Sequence, residues 1–472
     1  MERLHSRFPI EQTQILQGTA FAGLLLVLGV LLTVLPLIQV LAVVVSLSLV
    51  VLFVSRPLVG LLVFFAIRAG LDNLWSLNGI GELNFLQLFS GLAAMMAGGL
   101  ALLRLRSLQK ERIFGLVILY GILLVFGALR PAKGTFVSVY LLSQFLSPFL
   151  LCLLVADLMN THQRQRLFFG LIILGTSVPL GVSFFHLLMG TGRIELHGYN
   201  RLLGSYSNLH NHALMLGLMV SLGILWFSLA TKRWEHLLSL VYLGVASVCL
   251  YYTYVRTAWL GVTLFTVAFL LLNRQRNTLL FLGVLLLFLG FTSSTVQDRF
   301  GDFNDLLFLE PVQGTRDNLG SGRWYLWKQA IDYMLRQPLS AWVMGLGLGG
   351  HYLSTRRGID PHCDYLTLFI QMGPLAVILY LWIAGTVMRK AHQLQAITKS
   401  EWSRTFGRYI VALMPMVLFC NLVSNGYVTR ITPSWYAWGL FGLMFALYKN
   451  ETSPKALSLV NPSPTRTRVS GR

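Results

Sequence analysis

Acidic residues are scarce in this chain: 18 Asp and Glu stand against 37 Lys and Arg, and charged residues make up only 12% of 472 positions. A 55% hydrophobic content far exceeds what one soluble core of this length uses, so a water-soluble globular protein is excluded. Cysteine is rare as well. Cys152, Cys249 and Cys420 fall in apolar segments and only Cys363 lies near a polar one, so there is no disulfide framework. The apolar runs lack period-two alternation, which excludes a β-barrel. Ionisable side chains are nearly absent from the middles of these runs, where a proton- or ion-coupled transporter would need them; His186, His210 and His212 come nearest, and each falls toward a segment end. No small-residue cleavage site separates the first apolar run from the second, so the first reads as a retained helix rather than a removed signal peptide.

What the chain does have is a succession of apolar stretches of the length that crosses a hydrocarbon core ~30 Å thick. They lie near 15–35, 37–54, 57–67, 85–103, 113–129, 136–155, 166–189, 209–230, 236–254, 257–272, 278–294, 365–388, 406–424 and 433–448. The stretch at 57–67 is short for an untilted span. The expected fold is therefore all-α, a polytopic helical membrane protein with about 12–14 transmembrane helices. Short loops rich in Lys and Arg stay on the cytoplasmic side, and the placement of Arg104, Arg106, Lys232, Arg233, Arg274, Arg276, Arg389 and Lys390 puts both termini inside. The net charge of +19 is mostly this topology signal; the basic residues gather on no soluble face, so a nucleic-acid partner is not expected. The organisation that follows has transmembrane helices over 1–294, one large structured periplasmic loop with short helices over 295–364, C-terminal transmembrane helices over 365–448, and a disordered cytoplasmic tail over 449–472.

Polar chemistry is concentrated on the outer side. Within the long loop, Ser321, Arg323, Trp327, Ala330 and Met334 set a helical pattern that Pro338 stops, with Lys328 and Asp332 at ion-pair spacing. Arg323 and Trp327 share a face, which suits a guanidinium held against an aromatic ring, and suits an ordinary surface helix equally. Gly345, Gly347, Gly349 and Gly350 follow; they read as a tight return of the chain, since the Lys-Ser/Thr ending of a phosphate-binding loop is missing. Asp360 and Pro361 suit the N-cap and first position of the next transmembrane helix, which would put His362 in its first turn and keep that imidazole neutral. Such a histidine is either a general base or a structural residue. Arg256, amid Tyr251, Tyr252 and Tyr254, suits an interfacial anchor or a bidentate contact to a lipid diphosphate. Asp72 and Glu82, the nearest approach to an acidic pair on the first outer loop, read as loop residues.

Taken in order, these pieces resemble the bacterial O-antigen ligase and O-antigen polymerase superfamily of GT-C-type membrane glycosyltransferases. The stretch Arg201-Leu202-Leu203-Gly204-Ser205-Tyr206-Ser207-Asn208-Leu209-His210-Asn211 is similar to the family's Gly-x-Phe-x-Asn-Pro-Asn region, with Leu209-His210 in place of the usual Pro. Thr253-Tyr254-Val255-Arg256-Thr257-Ala258 resembles its Ser-Arg-Gly-Ala helix junction, with Thr257 for Gly. Ser321-Gly322-Arg323 and Trp327 match its loop motif, and His362-Cys363-Asp364-Tyr365-Leu366 resembles its His-Asn-x-x-Leu element, with Cys363 for Asn.

The resemblance implies a metal-independent inverting transferase, without cofactors, acting on an undecaprenyl-diphosphate-linked glycan donor. It implies catalytic roles for His362, as base, and for Arg256 and Arg323, on the leaving diphosphate. Arg201, Asn208, Asn211, Ser321, Trp327 and Tyr254 are the expected substrate-binding residues. A ligase with lipid A-core as acceptor leads; a polymerase, whose acceptor is a second lipid-linked glycan, shares the same chemistry. A lipid-linked glycan flippase is the alternative from another class. The expected location is the bacterial inner membrane, among membrane lipids, with the site on the periplasmic face.

Overall fold

The structure, a computed structural model, describes residues 44, 48–74, 85–109, 113–196, 199–275, 277–278, 323–355 and 358–452. The expected segments at 15–35 and 278–294, most of 37–54, and Ser321, Glu82 and the tail beyond 452 lie outside the described residues. The helices are α1 (Pro57–Ile67), α2 (Phe85–Leu103), α3 (Phe114–Ala128), α4 (Thr135–Leu158) and α5 (His162–Met189). A hairpin of β1 (Arg193–Leu196) and β2 (Tyr199–Leu202) precedes α6 (Leu209–Leu229), α7 (Arg233–Tyr251) and α8 (Arg256–Leu272). After the undescribed part of the loop come α9 (Arg323–Leu335), α10 (Leu339–Met344), α11 (Asp364–Met372), α12 (Pro374–Ile397), α13 (Glu401–Val423) and α14 (Ile431–Glu451).

Among the described residues, 6 helices (α4, α5, α6, α7, α12 and α13) are long and apolar enough to cross a membrane. Their outward faces are apolar: Leu174 and Val178 on α5, Leu237 and Val241 on α7, and Ile378 and Trp382 on α12 are all exposed. A protein facing water would cover such rows, whereas one facing hydrocarbon has no reason to. The core is the inner bundle. In α14, Trp435, Tyr436, Trp438, Leu440 and Phe441 are all buried, so this helix is enclosed on every side. It lies so close to α4 that a Cβ on Gly442 would come within 2.4 Å of the Cys152 carbonyl oxygen.

Asp72 is not a free loop residue. Its carboxylate accepts from Arg68 at 2.8 Å in a buried pair, while Arg68 also donates to Thr432 Oγ1 at 2.8 Å and stacks 4.9 Å from the Trp435 ring centre. The pair ties the end of α1 to the start of α14.

The apolar run from 365 to 388 is broken in two. Gly373 takes φ +77° and Pro374 starts α12, so α11 stops after 9 residues. A helix end leaves carbonyls without internal partners. The glycine-rich stretch supplies them: Leu346 N–H donates to Ile370 O at 2.8 Å and Gly347 N–H to Gln371 O at 3.0 Å. Gly345, with φ +70°, has no room for a side chain, since a Cβ would sit 2.2 Å from the Gln371 carbonyl carbon. These glycines serve a close return of the chain; Gly350 N–H donates to Gly347 O at 3.0 Å and Gly349 N–H to the Gln371 side-chain Oε1 at 3.2 Å.

Candidate functional site

Four helix starts and the segment before α14 converge at one end of the bundle. At α8, Arg256 is the first helical residue, following the turn in which Tyr254 takes φ +54°. Tyr254 packs in an aromatic group with Tyr199 at 5.2 Å and Tyr251 at 5.9 Å between ring centres. At α9, Arg323 reaches across to α8 and donates to Thr257 Oγ1 at 3.0 Å. This contact connects α9 to the start of α8. Sequence spacing suggested Trp327 as the partner of Arg323; the guanidinium is held by Thr257 instead, and Trp327 lines an apolar groove. The Lys328–Asp332 pair is absent from the ion pairs of the described residues.

Burial and then the neighbouring Arg256 lower the Arg323 pKa from the ordinary guanidinium range to about 10. Among the described residues no carboxylate pairs with Arg323, so two cations stand together in a poorly solvated place. Such an arrangement favours the arrival of an anion.

His362 is not in the first turn of a helix. The helix begins at Asp364, and His362 precedes it with φ +55°. Asp360 does not cap α11; it accepts instead from His362 N–H at 2.9 Å and from the Thr367 hydroxyl at 3.3 Å, which fixes the unusual backbone of His362. The imidazole stays neutral for a different reason from a helix dipole. Burial lowers its pKa below 6.5, Asp360 opposes this, and the cations Arg430 and Arg323 lower it further. A neutral imidazole near pH 7 is able to take a proton. Its ring lies 6.0 Å from that of His210, in the first turn of α6.

The other sequence-derived candidates divide. Arg201, on β2, is buried with its guanidinium 6.0 Å from the Tyr199 ring, and it contributes positive potential at His210. Asn211 has a buried side-chain oxygen without a hydrogen-bond partner. Asn208 is spent locally: its side-chain oxygen accepts from His210 N–H at 2.9 Å and Asn211 N–H at 3.3 Å, which caps α6. Asp364 is also occupied, accepting from Gly426 N–H, Val428 N–H and Thr429 Oγ1 at 2.9, 3.0 and 2.6 Å. It holds the 424–430 segment against α11.

That segment carries the residue sequence reading missed. Arg430, just before α14, faces His362 and Asp360, and its Nε is buried without a hydrogen bond. No motif marks it; only its position as a lone cation between the last two apolar runs pointed to it.

Two cavities flank the His362–Cys363 pair. One, of about 470 Å³, is an apolar groove lined by Trp327, Ile331, Cys363, Phe369, Ile378 and Leu422. The other, of about 310 Å³, is polar and includes Gln144, Tyr352, Asp360, His362, Asn425 and Arg430. An apolar furrow, two neighbouring cations and a neutral imidazole thus lie together at one end of the bundle.

The chain matches a family model in just this region: residues 240–381 correspond to the O-antigen ligase family. This stretch contains Arg256, Arg323 and His362, and the match supports the likeness of this part of the chain to the O-antigen ligase and polymerase superfamily. Among curated proteins, none matches the chain.

Proposed function

We propose that this protein is a metal-independent inverting glycosyltransferase of the bacterial inner membrane, and specifically an O-antigen ligase. It transfers a glycan from undecaprenyl diphosphate to lipid A-core on the periplasmic face, with both chain termini in the cytoplasm. The observation that carries the reading is the Arg323–Thr257 contact, which gathers Arg256 and Arg323 at one helix end without a carboxylate partner for Arg323 among the described residues.

The chemistry follows from the groups present. The polyprenyl chain lies in the apolar groove past Trp327 and Cys363, and the diphosphate rests against Arg256 and Arg323. His362 accepts the proton of an acceptor hydroxyl while that oxygen attacks the anomeric carbon. The bond from this carbon to the diphosphate oxygen breaks, and the electron pair leaves with undecaprenyl diphosphate. Negative charge grows on the diphosphate as the bond breaks, so fixed cations contribute more in the transition state than in the ground state, an effect often worth ~3 kcal/mol per donor. The guanidinium fork suits two phosphate oxygens better than an ammonium does.

A deletion strain tests the reading. A ligase deletion leaves long polymer on the lipid carrier and none on the cell-surface acceptor. Single repeat units on that acceptor would instead identify a polymerase, and blocked export of lipid-linked intermediates a flippase. Reporter fusions check the orientation: Arg106, Arg233 and the C-terminus should be cytoplasmic and the loop around Arg323 external.

A further inference from the structure

We propose that the polar cavity beside His362 is the subsite for the acceptor's terminal sugar, with Arg430, Asn425 and Asp360 reading its hydroxyls. The proposal rests on the transferase reading above and adds to it which substrate this cavity takes and which residues select it.

The cavity is small, about 310 Å³, at the lower end of the ~300–1,000 Å³ range of ligand sites, a size for one ring rather than for a polymer. Its wall comes from four parts of the chain: Tyr140 and Gln144 on α4, His351 and Tyr352, the 360–362 segment, and Asn425, Thr429 and Arg430 before α14. The wall is unfinished in its hydrogen bonding. The Asn425 side chain is 4% exposed and its Oδ1 has no partner, and Arg430 Nε is buried and unbonded. Buried polar atoms are nearly always satisfied, so these point to a ligand.

The kind of ligand follows from the sign of the vacancies. Asn425 Oδ1 accepts a hydrogen bond and Arg430 Nε donates one, while the Asp360 carboxylate, already accepting from His362 N–H and the Thr367 hydroxyl, keeps acceptor capacity beyond these two. A diphosphate brings acceptors alone and would be repelled by Asp360. A sugar ring brings hydroxyls that both donate and accept. The cavity is thus complementary to a polyol and not to the donor's head group, and neither Arg256 nor Arg323 lines it. His362 does line it. A general base has to face the hydroxyl it deprotonates, so the sugar in this cavity is the one that attacks.

The wall is also held rigidly. Asp364 binds Gly426, Val428 and Thr429, and Gln144 donates from its side-chain amide to the Thr429 carbonyl, so the segment bearing Asn425 and Arg430 is fixed from two sides. Asp360 lies 3.4 Å from His351 Nε2 and is held from the opposite wall.

The test uses the full-length protein in nanodiscs with two probes: the lipid-linked glycan as donor, and core oligosaccharide released from lipid A as acceptor. Arg430→Gln and Asn425→Ala should each raise the acceptor KM about 10-fold and leave donor affinity within twofold, as expected for one lost hydrogen bond to the acceptor alone. Arg323→Gln should do the reverse. Oligosaccharide binding is also measured without donor, by saturation-transfer NMR, on wild type and on both variants. Loss of that binding in Arg430→Gln, with donor affinity intact, supports the subsite even if the wild type transfers nothing, a result that would instead sink the ligase reading. Unchanged acceptor KM and binding in both variants, or donor affinity falling in step with them, overturns the proposal.

Discussion

Arg323→Gln separates the catalytic meaning of the arginine pair from a structural one, because the two meanings predict opposite effects on stability. Holding a guanidinium where burial and Arg256 push its pKa down to about 10 costs on the order of 3 kcal/mol relative to the free group. At neutral pH, below the folded value, that cost is present in full. The glutamine amide keeps much of the side chain's bulk and is able to donate to Thr257, which limits the contact loss to roughly 1 kcal/mol. The substrate-free variant should therefore match or exceed wild type in thermal stability. Transfer should fall by ~10²-fold, because a cation opposite the leaving diphosphate is missing. Donor-induced stabilisation should shrink in parallel. The assay is thermal unfolding in nanodiscs with and without donor, alongside single-turnover transfer. A variant that melts several degrees lower without substrate, yet transfers within about threefold of wild type by the same ~1.4 kcal/mol-per-decade scale, would refute the reasoning and leave Arg323 as a brace for the loop.

Four other outcomes are expected. His362→Ala should lower turnover by ~10²-fold or more with donor affinity nearly intact, because the base acts only during reaction. The acid limb of the turnover profile should lie below pH 6.5, since His362 must be neutral to act and its pKa is lowered by burial first, with Asp360 opposing and Arg430 and Arg323 assisting; Arg430→Gln removes a cation and should move that limb to higher pH, whereas Asp360→Asn should move it lower. Cys363→Asn should change the melting temperature by the equivalent of no more than ~1 kcal/mol, because an Asn at this N-cap of α11 gains a side-chain acceptor for the first-turn amides but sets its own amide against the apolar groove that Cys363 lines. Gly373→Ala should lower stability by ~2 kcal/mol or more, seen as a drop in melting temperature, because φ is +77° and a Cβ would lie 2.0 Å from the Val343 carbonyl oxygen.

The apolar lengths by themselves determined where most helices lie. α4, α5, α6 and α7 fall within a few residues of the stretches read from hydropathy, because a helix in hydrocarbon must satisfy its own backbone and its length is set by the membrane. The helical pattern from Arg323 was equally legible, as was the ordered set of motifs holding Arg256, Arg323 and His362. Other features depended on contacts between distant parts of the chain. The break at Gly373-Pro374 sits inside a continuous apolar run, and it is stable because the glycine-rich return 26 residues earlier, from Leu346 and Gly347, meets the freed carbonyls. The Asn208 side-chain oxygen is committed to capping α6, and Asp72, a loop residue by sequence, is bound by the buried Arg68 beside it. Arg430 belongs to no motif, and it enters the site because Asp364 anchors its segment from 62 to 65 residues away. A side chain's chemistry is written in its sequence, but whether that chemistry is free to act depends on which neighbour the tertiary fold has already given it.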